Sequence, residues 1–444
     1  MKIGFVSLGC SKNLTDTEVM LYKLNAAGYE ITPDAEEAEV IVLNTCGFIE
    51  SAKAESIENI IDLASLKESG TLRALICTGC LVERYREQIF EELPEVDALL
   101  GVGSLEDIPE AVEAVLRGEK YTSFRDKEAS PLGGDRVLTT PEYTAYLKIA
   151  EGCDNRCTYC AIPLIRGRLR SRPIEDIVKE AQDLEALGVK ELNLIAQDTT
   201  RYGLDLYGEY RLAALVRAIT ENTSIPWIRL LYCYPDKITD ELVEELKRND
   251  RLVKYMDIPV QHIADGVLRD MNRHGDGATI RSAIARLREA VPGITLRTTA
   301  MVGFPGESEE DFEELCAFIK ETRFDRFGAF SFSPEEGTAA AELPDQIDED
   351  VKARRLDTLM EIQLDVSAAL QQSKIGSTIT VLCEGFDIPA GIHVGRSAAD
   401  APDVDGKIFF HAPHRVKEGA FVRVKITEAL DYDLVGVLTE DADA

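Results

Sequence analysis

The sequence of 444 residues lacks any apolar run that approaches the roughly 20 residues needed to span a bilayer. Its N-terminus, MKIGFVSLGC, has neither the hydrophobic region nor the cleavage site of an export signal, and its pattern is that of a β-strand. Internal repeats and low-complexity tracts are also missing. We therefore expect a globular, cytoplasmic protein with no membrane partner.

Basic residues are scarce. The 49 Lys and Arg residues stand against 80 Asp and Glu residues, which gives a net charge of −31. Such a charge repels phosphate backbones and attracts basic partners, so it disfavours nucleic acid as the ligand. Without an export signal, the ten cysteines are expected to stay reduced, and their spacing indicates metal binding or catalysis rather than disulfides.

Strand and helix patterns predict an α/β protein with three domains. Residues 1–118 alternate strand-like runs at 3–8, 40–44 and 74–78 with helical stretches, a pattern typical of a parallel α/β domain. Residues 119–140 lose this periodicity and contain a proline and two glycines, which predicts a linker.

The second predicted domain covers residues 141–346 and contains six strand-like runs separated by amphipathic helices. These runs are 146–150, 191–196, 227–232, 255–260, 295–302 and 327–332. Six βα units cannot close an eight-fold barrel, so we expect a partial (βα)6 barrel with its chemistry at the carboxyl ends of the strands. Residues 347–374 predict one long connecting helix.

Residues 375–444 change to short alternating strands separated by turn signals. The strand-like runs are 378–382, 393–397, 406–410, 421–429 and 434–438. Five short strands in such a small segment predict a small antiparallel β-barrel.

The strongest chemical signal is the CxxxCxxC loop formed by Cys153, Cys157 and Cys160, just after the first strand of the partial barrel. Three thiolates on one short loop can hold three irons of a 4Fe-4S cluster and leave the fourth iron open to a ligand. Zinc is the alternative, but a zinc site requires further ligands, and this loop offers neither a fourth cysteine nor a histidine.

A second set of cysteines, Cys10, Cys46 and Cys80, is spread over the first domain. Each follows a predicted strand, and each has a neighbouring glycine. Because the carboxyl ends of parallel strands meet at one sheet edge, the three can converge on a second cluster. Three ordinary core cysteines are the alternative. The other cysteines lie within strand or helix patterns and are interpreted as packing residues: Cys77, Cys233, Cys316 and Cys383.

The loop sequence EGCDNRCTYCAIPLIRG, with the aromatic Tyr159 before its last cysteine, resembles the radical S-adenosylmethionine (SAM) superfamily. The six βα units agree with this resemblance. It implies that Cys153, Cys157 and Cys160 ligate a 4Fe-4S cluster whose open iron chelates the amino and carboxylate groups of SAM. Reduction of the bound SAM then yields a 5′-deoxyadenosyl radical that removes an unactivated hydrogen atom.

In such a barrel, polar residues at strand ends face the mouth where SAM would lie. Gln197, Gln261 and Arg297 are therefore candidate SAM contacts, with Arg297 assigned to the carboxylate. Tyr159 is a further candidate that the resemblance implies, because it is the aromatic residue before the last cysteine of the loop. Asp198 and His262 hold similar positions. Each of these polar residues could instead cap a helix or satisfy a turn. The stretch VGFPGES has no GKS/T or GxGxxG pattern, which disfavours a nucleotide-phosphate site.

Taken with SLGCSKN, NTCGFIE, TGCLVER and the C-terminal barrel, nearly the whole chain resembles the methylthiotransferases. These are radical SAM enzymes that insert sulfur into a C–H bond and methylate it, with an N-terminal methylthiotransferase domain and a C-terminal TRAM domain. The resemblance implies a second 4Fe-4S cluster at Cys10, Cys46 and Cys80, SAM in two roles, and an external reductant and sulfur source.

The family divides into a branch that modifies an adenosine of tRNA and one that modifies an aspartate of a small-subunit ribosomal protein. Four stretches resemble the second branch: SLGCSKNLTDTE, where the tRNA branch tends to carry GCQMN, and NTCGFIESAKAESI, IAQDTTRYG and YMDIPVQHIADGVLRDMNR. Residues 375–444 contain 12 acidic and 6 basic side chains, which suits a basic ribosomal protein better than tRNA.

We therefore predict a monomeric enzyme that inserts sulfur into the β C–H bond of an aspartate in a basic small-subunit ribosomal protein and methylates it. A tRNA adenosine methylthiotransferase with the same chemistry is the nearer alternative. An iron-sulfur carrier or electron-transfer protein is the more distant one.

Overall fold

The N-terminal region is built on a parallel sheet. The computed structural model describes residues 1–68 and 70–441. The elements of this region are β1 (Lys2–Ser7), α1 (Ser11–Ala26), β2 (Glu30–Thr32), β3 (Val40–Thr45), α2 (Glu50–Ser65), β4 (Ala74–Gly79), α3 (Cys80–Tyr85), α4 (Gln88–Glu92), β5 (Ala98–Leu100), α5 (Ile108–Leu116) and β6 (Tyr121–Ser123).

All pairings within this sheet are parallel, and the strand order is β2-β1-β3-β4-β5-β6. The three predicted strands are β1, β3 and β4, and every residue of β3 and β4 is buried, as expected for parallel strands that are covered on both faces. Strands β2, β5 and β6 have three residues each, too few to show a period. Strand β6 lies at the start of the predicted linker. Its residues, 121–123, nevertheless belong to this sheet, because they pair with β5 through backbone hydrogen bonds.

The central region forms the predicted partial barrel. Its elements are β7 (Thr144–Lys148), β8 (Ala150–Glu151), α6 (Ile162–Arg166), β9 (Arg170–Ser171), α7 (Ile174–Ala186), β10 (Glu191–Ile195), α8 (Leu204–Tyr207), α9 (Leu212–Asn222), β11 (Trp227–Leu230), α10 (Asp240–Arg248), β12 (Tyr255–Asp257), α11 (Asp265–Asp270), α12 (Gly277–Ala290), β13 (Thr295–Val302), α13 (Glu309–Thr322) and β14 (Arg326–Ser331).

Six of these strands follow one another around the barrel in chain order. Parallel pairing joins β7, β10 and β11, and separately β12, β13 and β14. The two halves of the barrel meet where the Cys233 amide donates to the Asp257 carbonyl at 2.8 Å. Apolar side chains between the strands and the surrounding helices form the largest hydrophobic core. The partial (βα)6 barrel is thereby confirmed.

The C-terminal elements are α14 (Glu349–Gln372), β15 (Thr378–Asp387), β16 (Ile392–Ser397), β17 (Ile408–His411), β18 (Phe421–Ala429) and β19 (Leu434–Asp441). The strands close into a barrel in the order β15-β16-β17-β19-β18. The small barrel predicted from the sequence is confirmed, and its strand pairs are antiparallel except for β17 and β19, which are parallel. A closed ring with an odd number of strands cannot alternate throughout, so one parallel pair is required.

The C-terminal barrel is fixed to the partial barrel by buried ion pairs. The Glu191 carboxylate on β10 accepts from Arg229 of β11 at 2.8 Å and from Arg396 of β16 at 2.6 Å. All three side chains are fully buried. Breaking such an arrangement would leave an uncompensated charge in the interior, so it holds the two barrels together strongly.

Residues 400–405, which we call the acidic segment, extend this contact into the partial barrel. Asp400 pairs with Arg326 of β14. The Asp403 carboxylate accepts from the Tyr146 hydroxyl of β7 at 3.2 Å, and the Asp405 carboxylate accepts from the Tyr255 hydroxyl of β12 at 2.7 Å.

Among the described residues, no helix is long and apolar enough to cross a membrane.

Candidate iron-sulfur and SAM site

One cavity of about 420 Å³ brings together the predicted cysteines of both domains. The cysteines that line it are Cys10, Cys46, Cys80, Cys153, Cys157 and Cys160. All six are free thiols. The carboxyl edge of the N-terminal sheet therefore faces the mouth of the partial barrel, and the two predicted cluster sites share one cavity.

The N-terminal triad, Cys10, Cys46 and Cys80, is gathered by the sheet edge. Cys10 precedes α1, Cys46 follows β3, and Cys80 begins α3 directly after β4. Gly9 has a φ of +86°, and a Cβ there would lie 2.8 Å from Cys46 Cβ. A Cβ at Gly47 would lie 2.7 Å from the backbone of Leu81. These glycines allow the close approach of the three strand ends.

The loop triad, Cys153, Cys157 and Cys160, lies on the segment between β8 and α6. The Cys153 amide donates to the Gly167 carbonyl at 3.1 Å, which ties the start of this segment to the end of α6. Cys157 Sγ lies 2.7 Å from the hydroxyl of Tyr234, and the guanidinium of Arg273 stacks 3.7 Å above the Tyr234 ring. The loop is thus held from the side by residues of the barrel.

Burial shapes the protonation of these thiols. It raises the pKa of Cys80 and of Cys153 to about 12, and it raises the pKa of Cys46 and of Cys160 above the ordinary value. Without a metal the buried thiols keep their protons, and metal ligation would displace them. All six cysteines are free and line one cavity, but in the part of the chain that the structure describes no group of three or more His, Cys, Asp or Glu side chains is placed to hold a single metal ion. Thiols are the ligands of iron-sulfur clusters, so the donor type at both triads is the one that such a cluster requires.

A buried arginine of the barrel, Arg166, connects the N-terminal triad to the end of β10. Arg166 Nη2 lies 3.5 Å from Cys80 Sγ, and its Nη1 lies 2.6 Å from the Asp16 carboxylate on α1. Nη1 also contacts Glu151 at 3.3 Å, and Glu151 accepts from Gln197 Nε2 at 2.6 Å. The chain of polar contacts therefore runs from the N-terminal triad to the end of β10.

All four predicted SAM contacts, Tyr159, Gln197, Gln261 and Arg297, line the cavity. The side-chain oxygens of Gln197 and Gln261 are buried and have no hydrogen-bond partner among the described residues. A buried acceptor without a donor is costly, so both positions fit a ligand that brings N–H or O–H groups. Arg297 Nη1 donates to the Asp257 carboxylate at 2.8 Å, and its Nε lies 3.6 Å from Asp405.

Two other strand-end residues serve the structure instead. Asp198 accepts from the Asn155 amide at 2.7 Å and so fixes the cysteine loop. His262 is fully buried, its Nδ1 accepts from the Ala264 amide at 3.1 Å, and burial lowers its pKa to about 4. Neither residue lines the cavity.

The remaining cysteines lie away from the cavity. Cys77, Cys233 and Cys383 are buried within hydrophobic clusters, and Cys316 packs against the largest core. These positions agree with their interpretation as packing residues.

Sequence reasoning missed several residues that line the cavity: Lys12, Arg166, Tyr232, Tyr234 and Arg273. Lys12 and Arg166 lie within six residues of a candidate cysteine ligand, so their proximity to the cysteine motifs could have identified them. The two tyrosines follow β11, at a strand end like the residues that were singled out. Arg273 comes from the segment after α11, and nothing in its local pattern marks it.

Family models match three parts of the chain. They are the uncharacterized protein family UPF0004 at residues 2–101, the radical SAM superfamily at residues 147–319 and the TRAM domain at residues 375–438. A solved structure of the radical SAM methyltransferase TsrM from Kitasatospora setae, with cobalamin and a [4Fe-4S] cluster bound, has the same fold over 76% of each chain. Its TM-score is 0.55 and its sequence identity is 14%. The fold and the cysteine loop define a radical SAM enzyme.

Full-length relatives narrow this class. The ribosomal protein uS12 methylthiotransferase RimO of Desulforamulus reducens is 49% identical over 99% of both chains. Its namesakes from Thermoanaerobacter sp. and Clostridium botulinum are 49% and 47% identical over at least 98% of both chains. The chain belongs to the RimO family of radical SAM methylthiotransferases.

Proposed function

We propose that this enzyme inserts sulfur into the β C–H bond of an aspartate of ribosomal protein uS12 and methylates it. The observation that carries the proposal is the single cavity lined by six free cysteines from two domains. A C–H bond at a β-carbon is too strong for acid-base chemistry, so a cofactor radical is required and the protein mainly positions it. Methyl transfer, the second SAM-dependent step, would take place in the same cavity.

The proposal assigns one 4Fe-4S cluster to each triad. The loop triad would hold the cluster that binds SAM, and the N-terminal triad would hold a second cluster with one iron open to sulfur. Bound together, these groups supply a hydrogen-abstracting radical and a sulfur atom to capture the carbon. We propose the domain limits as 1–118, 141–346 and 375–444, with a connecting helix at 347–374 and a linker at 119–140. The first residues of this linker add strand β6 to the N-terminal sheet.

The side chains around the loop triad would orient SAM. Gln197 and Gln261 offer their unpartnered oxygens to the amino and ribose hydroxyl groups, and Tyr159 packs beside the last two cysteines. Arg297 is held by Asp257 through Nη1, which fixes the guanidinium so that Nη2 can donate to the SAM carboxylate.

Apolar residues complete the cavity wall and would exclude water from reactive species. They are Phe48, Ile49, Ala52, Ile162, Pro163, Met301 and Phe330. Water exclusion limits side reactions of a reactive intermediate and strengthens the electrostatic contacts within the site. A wall from both domains also explains why the two triads must face each other.

The charge of the chain supports a basic protein substrate. The net charge is −31, and residues 375–444 contain 12 acidic and 6 basic side chains, a distribution that attracts a basic ribosomal protein and repels tRNA. A cytoplasmic, monomeric enzyme served by an external reductant and an external sulfur source belongs to the same proposal.

Anaerobic reconstitution tests the proposal. The protein with both clusters, reductant, SAM and sulfide is offered the aspartate-bearing uS12 peptide and unmodified tRNA in separate reactions, and the products are weighed by mass spectrometry. We expect one methylthio group on the peptide and none on the tRNA. Modified tRNA alone would overturn the substrate assignment and leave the radical chemistry intact. Deoxyadenosine without either product would leave only the radical SAM core, and the absence of SAM cleavage would favour an electron carrier.

A further inference from the structure

Lys12 lies in the first turn of α1, two residues after Cys10, and lines the cavity of the six cysteines. Its side chain is buried, with 7% of the residue exposed. Its ammonium lies 3.1 Å from the centroid of the Tyr232 ring, on the barrel side of the cavity. Lys12 thus places a positive charge where the N-terminal region meets the partial barrel.

Among the described residues, Lys12 has no carboxylate partner. Lys148, which is similarly buried, contacts Asp16 at 2.6 Å and Glu151 at 2.9 Å. A buried ammonium without a counter-ion is costly, and a single aromatic face offsets only part of that cost. The position therefore fits an anionic group that enters the cavity.

Tyr232, the ring beneath this ammonium, has an unusual backbone. Its φ is +60°, in the left-handed region that a bulky residue rarely adopts. The Asp257 carboxylate accepts from the Tyr232 amide at 2.9 Å, and the Tyr232 carbonyl accepts from the Thr199 amide at 3.0 Å. Strain of this kind persists where the surroundings enforce it, commonly at functional sites. Here it places the aromatic face that holds Lys12.

A second cavity of about 460 Å³ adjoins the first and shares Cys10, Tyr232, Asp257 and Arg297 with it, whereas Lys12 lines the first cavity alone. Its other walls include Leu14 of α1 and Asp403 and Val404 of the acidic segment. Val404 is 59% exposed, so this cavity has a wall at the surface. Its two carboxylates, Asp257 and Asp403, outnumber the Arg297 guanidinium and stand among apolar residues, which suits a basic polypeptide segment that approaches Cys10.

We propose that Lys12 binds the carboxylate of the target aspartate and so selects an anionic side chain over a neutral group. The ammonium would donate to the carboxylate, and the attached β-carbon would be held beside the N-terminal triad. The inference rests on the proposed function and deepens it, because it names the residue that recognises the substrate side chain. It also predicts that an asparagine at the target position, which has the same shape and no charge, is bound poorly.

Peptide binding to the reconstituted enzyme tests this role. Fluorescently labelled uS12 peptides with Asp or Asn at the target position are titrated anaerobically against wild type, Lys12→Met and Lys12→Arg, and anisotropy gives Kd. Met keeps the length of the side chain and removes its charge. Lys247→Met, on the exposed face of α10, is the control for loss of one positive charge. Iron content is measured for every variant.

We expect wild type and Lys247→Met to bind the Asp peptide about ten-fold or more tightly than the Asn peptide, the range of one charge-assisted hydrogen bond. Lys12→Met should lose this preference with unchanged iron, and Lys12→Arg should retain part of it. The inference is overturned if wild type does not distinguish the two peptides or if Lys12→Met keeps the preference. It is also overturned if Lys12→Met loses iron and binds both peptides equally less well, since the lysine would then serve the cluster.

Failure of the proposed function has a different signature. Wild-type enzyme that neither binds nor methylthiolates the Asp peptide would reject the uS12 assignment, and the Lys12 role with it, before any variant is compared.

Discussion

The two cysteine triads meet in one cavity but are built in opposite ways. The loop triad lies within eight residues, Cys153 to Cys160, and its spacing is set by a single segment. The N-terminal triad draws Cys10, Cys46 and Cys80 from three strand ends, so its geometry depends on the packing of a whole sheet. A local site can be identified from a motif, whereas a distributed site has to be identified from topology.

Removing one ligand from each triad should give the largest and sharpest contrast. Cys153→Ala should abolish both SAM cleavage and methylthiolation, because the SAM-binding cluster loses a ligand. Cys80→Ala should abolish methylthiolation but retain deoxyadenosine formation, and iron should fall from about eight to about four per chain. Deoxyadenosine is measured by chromatography and iron by colorimetry.

Cys77→Ala is the matched control, since Cys77 is buried in β4 three residues before Cys80 and packs in a hydrophobic cluster. It should keep its iron and its activity. Full methylthiolation by Cys80→Ala would contradict the assignment of the N-terminal triad.

Replacing the arginine that joins the two regions should have the next largest effect. Arg166→Met leaves Lys148 as the only cation that contacts the buried carboxylates of Asp16 and Glu151 among the described residues, and we expect a loss of about 3 kcal/mol in the free energy of unfolding. Urea unfolding measures it. Arg168→Met, two residues away and largely exposed in its pair with Asp154, should cost less than about 0.5 kcal/mol. Equal losses in the two variants would remove Arg166 from the link between the domains.

Lowering the pH should reduce stability through a histidine of the partial barrel, because residues 1–118 contain no histidine. Burial lowers the folded-state pKa of His262 to about 4, below the value near 6.5 of the unfolded chain. Its contribution to stability is therefore present above pH 6.5 and is lost as the pH falls towards 4. Between pH 7 and pH 5 this loss is about 2 kcal/mol.

His262→Asn should flatten that pH dependence, since its side-chain oxygen can accept from the Ala264 amide as Nδ1 does. The measurement is urea unfolding at both pH values. Exposed His274 provides the control, and His274→Asn should keep the wild-type slope. An unchanged slope in His262→Asn would show that other groups dominate.

Comparing alanine variants of two glycines tests how closely the N-terminal triad is packed, and this comparison has the smallest expected effect on stability. Gly9 and Gly28 have φ values of +86° and +88°, but a Cβ on Gly9 would meet Cys46 whereas a Cβ on Gly28 would meet nothing within 4 Å. Both alanine variants should lose about 1 kcal/mol of stability from the left-handed backbone. Only Gly9→Ala should also lower iron content, and equal iron in both variants would argue against close packing at this triad.

The sequence predicted strands with correct bounds where an element is long or has a strong apolar pattern. The strand prediction at 295–302 matches β13 (Thr295–Val302), and the prediction at 421–429 matches β18 (Phe421–Ala429). Strands β2, β5 and β6 could not be predicted, because three residues carry no period and their pairing is decided by neighbouring strands. The parallel pair β17–β19 follows from the closure of the ring rather than from either strand.

The candidate site was predicted only in part for the same reason. The six cysteines and the four cavity-lining residues Tyr159, Gln197, Gln261 and Arg297 were identified from motifs and strand ends. The contacts of Arg166 with Asp16 and of Lys12 with Tyr232 each join two domains. A pattern within one segment does not encode which surface will face it, so these pairs required the structure.

The acidic segment limits which other small barrels could replace the C-terminal barrel. Asp400, Asp403 and Asp405 contact residues of three different strands inside the partial barrel, while Arg396 and Glu191 are fully buried between the barrels. Replacing the small barrel by that of a relative would leave Arg326 and Glu191 of the core without the partners Asp400 and Arg396, unless the new barrel supplied an acid and an arginine at the same places. Any change of substrate made through the C-terminal barrel must therefore preserve these pairs.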